Sequence, residues 1–171
     1  MSKFFTPLRQ AALFFINTDP SMILNELLVE KELKEFILDL NRIEQLFKKG
    51  VDSNDTRLEL IGGGYSACTI DLKSARGIPT DRITLFYNGD FYETFFLRIN
   101  KNSFIIDADT IKISTGLTQQ EINCWGDSSE PFDLRDRWGD DITGLTDDNL
   151  SKLAGRLTPL FVEYIQANIL R

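Results

Sequence analysis

Between positions 20 and 49 the apolar residues Val29, Leu33, Phe36, Leu40, Ile43 and Phe47 recur every three or four places, the spacing of one face of an α-helix. Ile37, Leu38 and Leu46 widen that stripe on one flank. Asp19 before Pro20 is a start signal, because the carboxylate accepts from free N–H groups and proline already has a helical φ. Gly50 supplies the stop. The pattern predicts one helix over 19–50, a rod of roughly 45 Å at ~1.5 Å per residue. Such a rod overshoots a domain of this size, so its stripe, with Leu40 and Ile43 at the centre, is expected to be covered partly by a neighbouring subunit. Upstream, 8–16 reads as one or two helical turns.

The pattern then changes. Residues 51–66, "VDSNDTRLELIGGGYS", are polar and then glycine-rich, the signature of a connector. A β-rich stretch with a long loop follows over 67–145. Its strand-like runs fall at 69–73, 82–87, 91–100 and 104–113, the last broken near Asp107. Gly116, Gly126, Pro131, Gly139 and Gly144 punctuate 115–145, which reads as a long loop around one short helix at 118–124. Thr146-Asp147-Asp148 opens a second long helix over 146–170, with two acids at its positive dipole end. Leu150, Leu153, Leu157, Leu160, Phe161, Tyr164 and Ile165 form its apolar face, and Pro159 is expected to kink or split it. The elements predict one α+β domain over 1–171, a small, mostly antiparallel sheet packed against long N-terminal and C-terminal helices.

Composition agrees with a folded domain, with 42% hydrophobic and 26% charged residues over 171 positions. Twenty-six acids against 19 bases give a net charge of −7. That balance argues against nucleic-acid binding, which needs a basic stripe to displace counterions from phosphates, and against an anionic membrane surface. The N-terminal apolar run AALFFI is too short to span a bilayer and is not followed by a cleavage site, so synthesis without export is expected. Cys68 and Cys124 are the only cysteines, sparser than in a disulfide scaffold, and two buried reduced thiols are the expectation.

Chemistry is thin. The chain has no histidine, which removes the commonest general base and neutral metal ligand. "GGGYS" at 62–66 is not a phosphate loop, because no Lys-Ser/Thr follows its last glycine. "DSNDTRLEL" fails as a calcium loop, since Arg57 stands where glycine must turn. Asp133, Asp136, Asp140, Asp141, Asp147 and Asp148 are interleaved with Arg135 and Arg137, as on a solvated, partly paired face. Neither a catalytic residue, a bound cofactor nor a metal is expected.

The stretch "TLFYNGDFYETFF", 84–96, packs six aromatics around Asn88-Gly89. As a hairpin, Asn88-Gly89 is a type I′ turn. Phe91 and Phe95 would also share a helical face, and the pattern leaves both readings open. Six rings exceed what one turn needs, so Tyr87, Phe91, Tyr92, Phe95 and Phe96 are expected to include at least two subunit contacts.

The block from Gly62 to Ile99 resembles tailed-phage morphogenesis proteins, the neck, head-completion and tail-completion components. Their pattern is G-Y-S-x-x-T, K-x-x-x-G-x-P-T-D-x-x-T-L and T-G-D-F-Y-x-S-F. This chain matches it with Gly64-Tyr65-Ser66, Thr69, Lys73, Gly77, Pro79-Thr80-Asp81, Thr84-Leu85, Gly89-Asp90-Phe91-Tyr92 and Phe95. It departs with Asn88 for threonine and Thr94 for serine. "WGDDITGLTDDN" at 138–149 is similar to the segment before that family's last helix, so the likeness covers about half the chain.

The resemblance implies a non-enzymatic virion protein made in the host cytoplasm. It implies a homo-oligomeric ring at the head–tail junction, in contact with portal, neck or tail proteins. A ring needs two different adhesive faces on each subunit, and an acidic lumen lets DNA slide past. Two other classes stay open: a small carbohydrate- or peptidoglycan-cleaving enzyme using two facing carboxylates, and a soluble adaptor that binds one protein partner.

Overall fold

A computed structural model of the chain describes residues 19–100, 103–112, 118–125 and 132–169; the turns expected over 8–16 lie outside them. The class is α+β, with most described residues helical and two small antiparallel two-stranded sheets.

The predicted single rod over 20–49 is instead three segments: α1 (Pro20–Val29), α2 (Lys31–Asp39) and α3 (Leu40–Lys49). Asp19 caps α1 as expected, its carboxylate accepting from the Ser21 N–H at 2.9 Å. The break comes at Glu30, whose ψ of 129° is extended. A straight helix would carry the apolar stripe past the edge of the core. The bend wraps it back, so that Leu27, Leu28, Leu33, Ile37 and Leu38 all enter one core while Val29 is 64% exposed. α3 is wound as a π-helix and ends where Gly50, at φ 69°, donates to the Gln45 carbonyl five residues back. The wide turn directs both Asn41 and Gln45 fully inward, an irregularity that commonly marks a special packing role.

The connector holds a short helix, α4 (Leu58–Gly62). The strand expected over 69–73 is a helix, α5 (Ala67–Ala75). Ser66 caps it, accepting from the Thr69 N–H at 3.2 Å. At its other end Gly77 is left-handed, and the Gly77 and Ile78 N–H groups bond to Ser74 and Lys73 carbonyls, a Schellman termination. Residues 82–87 form no strand. In place of a hairpin turn, Gly89 at φ 101° starts a single helical turn, α6 (Asp90–Glu93). Among the described non-glycine residues only Asp55 and Leu85 have positive φ, so Asn88 does not adopt the type I′ conformation. Its side chain instead accepts from the Asp90 N–H.

Strands β1 (Phe96–Asn100) and β2 (Ser103–Asp107) form an antiparallel hairpin with Leu97 opposite Ile106 and Ile99 opposite Phe104. These four pack against the core, while Phe96 and Ile105 point outward. The break near Asp107 is present, and β3 (Ile111–Lys112) pairs not with the hairpin but with β4 (Phe132–Asp133). Helix α7 (Gln119–Trp125) matches the short helix expected in the loop, and α8 (Leu134–Trp138) and a 3-10 turn at Asp140–Ile142 complete that region.

Helix α9 (Asp147–Ile169) continues through Pro159 without splitting. Leu153 is buried, Leu157, Leu160, Phe161, Tyr164 and Ile165 pack against the core, and Leu150 is exposed. A knot of buried amides fastens the start of α9 to α3. Gln45 Oε1 accepts from the Thr146 N–H at 3.0 Å and its Nε2 donates to the Gly144 carbonyl at 3.1 Å. Asn149 Nδ2 donates to the Leu40 carbonyl at 2.7 Å.

Candidate functional site

The residues of the resembling block converge on one buried lysine. Lys73 lies on the inner side of α5 and is only 2% exposed. Its ammonium donates to Tyr65 Oη at 2.7 Å, Thr84 Oγ1 at 3.0 Å and the Phe86 carbonyl at 2.6 Å. Tyr65 Oη also accepts from the Thr84 N–H at 2.9 Å, and Tyr92 Oη donates to the Thr84 carbonyl. Tyr65, Lys73, Thr84 and Tyr92 thus form one lock joining the glycine-rich segment, α5, the 80–87 loop and α6. "GGGYS" is therefore no slack connector. Gly62 is packed so closely that an added Cβ would lie 2.6 Å from the Trp138 indole nitrogen.

Among the described residues no carboxylate pairs with Lys73; burial pushes its pKa below the ordinary lysine value, opposed by the bond to Tyr65. The lock also holds Leu85 at φ 52°, a left-handed conformation that costs a β- or γ-branched residue on the order of 1–2 kcal/mol.

Beside the lock is a cavity of about 480 Å³. Tyr65, Phe86, Tyr87, Trp125, Phe132 and Trp138 supply its aromatic walls, and Lys73, Lys112 and Arg137 its charge. One wall is α7, fastened to α5 by several independent contacts. Cys68 and Cys124 are joined in a disulfide, Cα atoms 5.6 Å apart, which corrects the expectation of two free thiols. Trp125 Nε1 donates to Thr69 Oγ1 at 3.1 Å. Glu121, buried, accepts from Tyr87 Oη at 2.6 Å, Arg76 at 2.8 Å and the Thr118 N–H at 2.7 Å. These bonds, that from Tyr87 first, hold its carboxyl down at about 2. The Tyr87 phenol is pushed up to about 12 by burial and by the same bond. Its ring meets Trp125 edge-on at 4.9 Å and carries the Arg76 guanidinium 4.0 Å above it.

Across the cavity, Lys112 and Phe132 are cross-strand partners on β3 and β4. Burial lowers the Lys112 pKa, with Asp109 and Asp90 opposing. Arg137 Nε donates to the Gly62 carbonyl at 2.8 Å, and its guanidinium lies 4.8 Å from the Trp138 ring.

The expected contact residues fare unequally. Phe91, Tyr92 and Phe95 are buried in the core, with the rings of Phe91, in α6, and Phe95, just beyond it, edge-on at 4.9 Å. Leu40 is 3% exposed, and Ile43 is half-buried against the same core. Both therefore pack against their own core, while Val29 of the same stripe is left exposed. Tyr87 is half-buried in the cavity wall, and Phe96 alone of the seven is exposed, at 43%.

Sequence reasoning named Lys73, Arg137 and Trp138 only as motif or surface positions and missed their convergence, with Lys112 and Trp125, on one cavity. A signal existed for the first: Ser66-x-x-Thr69 ahead of Lys73 and Gly77 behind it are the start and stop of a short helix. Among the described residues no cluster of three His, Cys, Asp or Glu could hold a metal ion, and no helix is long and apolar enough to cross a membrane. Compared with protein-family models, curated proteins and solved structures, the chain matches none.

Proposed function

We propose that this chain is a structural, non-enzymatic subunit of the tailed-phage head–tail junction, assembling into a ring with portal, neck or tail proteins as neighbours. The observation that carries this reading is that the positions of likeness act together. Tyr65, Lys73, Thr84 and Tyr92 are bonded to one another. Ser66, Thr69 and Gly77 start and stop the helix that carries the lysine. Thr94, which replaces the pattern's serine, keeps the hydroxyl that accepts from the Asp109 N–H at 3.1 Å. A motif of this kind specifies a shape, since the three protons of its one buried amine already point at protein oxygens.

Exposed apolar side chains on separate elements also suit a subunit with two unlike neighbours. Phe96 and Ile105 are on the hairpin, Leu150 and Val162 on α9, Ile70 on α5, and Trp125 and Phe132 at the cavity. The test is sedimentation of the purified chain, followed by electron microscopy of particles carrying a tagged copy. A closed ring, with the tag at the neck, is expected. A chain that never enters particles and pairs with a single soluble protein would replace this reading with the adaptor.

A further inference from the structure

The cavity beside the lysine lock carries a charge at odds with the rest of the molecule. The whole chain is acidic, with a formal charge of −7. Most described arginines and lysines stand within ion-pair distance of a carboxylate, as in Arg42 with Glu35, Arg76 with Glu121 and Arg135 with Asp107. Of the six described cations without one, Lys31 and Lys34 lie on α2 and Arg156 on α9, while Lys73, Lys112 and Arg137 all line this one cavity, whose lining holds neither Asp nor Glu; Asp109 and Asp90 act on Lys112 from beyond ion-pair distance. The Lys73 protons are committed to three oxygens. Lys112 is different: its ammonium lies 5.4 Å from the Phe91 ring and has no hydrogen-bond partner among the described residues. Arg137 uses Nε on Gly62, which leaves its two terminal nitrogens as a fork for a carboxylate.

The walls are equally specific. Tyr87 and Trp125 are held edge-to-face by the Glu121 and Arg76 contacts and by the disulfide beneath them, and Trp138 meets Phe132 edge-on at 6.2 Å. Rings fixed in advance lose little freedom when a guest arrives. A volume of about 480 Å³ accommodates a large side chain with an attached charged group. We infer that this cavity is the docking site for an acidic segment of a partner protein that carries an aromatic residue. The ring would lie against the Trp125 and Trp138 walls, and flanking carboxylates would pair with Lys112 and Arg137. Charge complementarity selects this occupant, because on an acidic protein an acidic segment is drawn to the place where cations converge and no carboxylate lines the wall. The inference stands whether or not the chain belongs to a phage neck.

The chain has two tryptophans, and both line the cavity, so its intrinsic emission reads the site without a label. The probe is a capped peptide of Asp, Glu and Phe, compared with its Asn, Gln and Phe counterpart. The acidic peptide should change the emission saturably and bind at least tenfold more tightly than the neutral one. Lys112→Gln and Arg137→Gln should each remove most of that preference, with an unchanged circular dichroism spectrum. As a second measure, iodide should quench the tryptophans better than caesium does, despite the negative chain, and the double variant should lose that bias. Equal binding of both peptides, no binding of either, or an unaltered preference in the double variant would overturn the proposal. So would an emission change that appears with protein concentration alone and vanishes in Arg137→Gln, which would make a second copy of the chain the occupant.

Discussion

Two buried polar knots hold this molecule, and they differ in reach and in charge. The amide knot of Gln45, Thr146 and Asn149 is neutral and ties residues 101 to 109 positions apart. The lysine knot of Tyr65, Lys73, Thr84 and Tyr92 carries a cation and ties residues 8 to 19 apart. Closing a long loop costs more entropy than closing a short one, so the amide knot stabilises contacts that the chain would otherwise rarely make. Its groups are amides and hydroxyls, which desolvate at modest cost once bonded. A charge in that position would need a counterion. The lysine knot sits where the burial is incomplete, at the edge of a cavity. Its cation costs more to bury, yet it sets the electrostatic character of the opening beside it. One knot decides the fold, and the other decides what the surface presents.

The sharpest way to break this comparison is to delete one donor set from each knot. Gln45→Leu strands the buried Thr146 N–H and the part-buried Gly144 carbonyl. At ~1–3 kcal/mol for each unsatisfied group, the loss of stability should be about 4 kcal/mol. Lys73→Met removes more bonds but should cost only about 1–2 kcal/mol. Tyr65 Oη still accepts from the Thr84 N–H and Thr84 Oγ1 from the Phe86 N–H, and an uncompensated charge no longer has to be buried. Urea unfolding of the two variants checks the order. If Lys73→Met proves the more damaging, the lysine knot is the principal clasp and the contrast drawn here is wrong.

What is legible in the sequence follows the same division. The α+β class, the cap at Asp19, the stop at Gly50 and the short helix near 118–124 rest on local signals, and they stand. The single rod fails because helix periodicity describes a face and says nothing of a bend that lets the face follow a core. The strand expected over 69–73 fails because the caps at Ser66 and Gly77 mark a helix and outweigh the β preference of Thr69 and Ile70. The cavity is illegible because Lys73, Lys112 and Arg137 are each 25 or more positions apart, and no short window displays a cluster assembled by three elements. The disulfide is missed for the same reason: the pairing of Cys68 with Cys124 depends on α7 packing against α5.

A smaller and more local effect should come from acid. Glu121 is held at about 2 in the folded chain against an ordinary value of 4.5. A carboxyl depressed on folding contributes its full stabilisation above its unfolded pKa and loses it as the pH falls through the folded one. The α7 wall should therefore be intact at neutral pH and loosen only between about pH 4.5 and 2. Trp125, on that helix, reports the change by its emission. Glu121→Gln should abolish this acid step while leaving the rest of the titration in place. A step that persists in the variant would assign it to another carboxyl.

The smallest effect on the isolated chain should come from Phe96, and it separates the aromatic run into its two parts. Phe91, Tyr92 and Phe95 are core residues, whereas Phe96 stands on the outer face of β1, paired across the hairpin with Asp107 and with Arg98 5.7 Å from its ring. Ile105 shares that face and is 46% exposed. Truncating an exposed ring removes little packing, so Phe96→Ser should change unfolding free energy by no more than about 0.5 kcal/mol. At an interface the same ring would act as an anchor, worth on the order of 2 kcal/mol when truncated. Phe96→Ser should therefore keep its melting curve and lose incorporation into particles. Should it assemble normally, the hairpin's outer face is plain solvent-facing surface, and the subunit contacts must be sought on α9 and around the cavity.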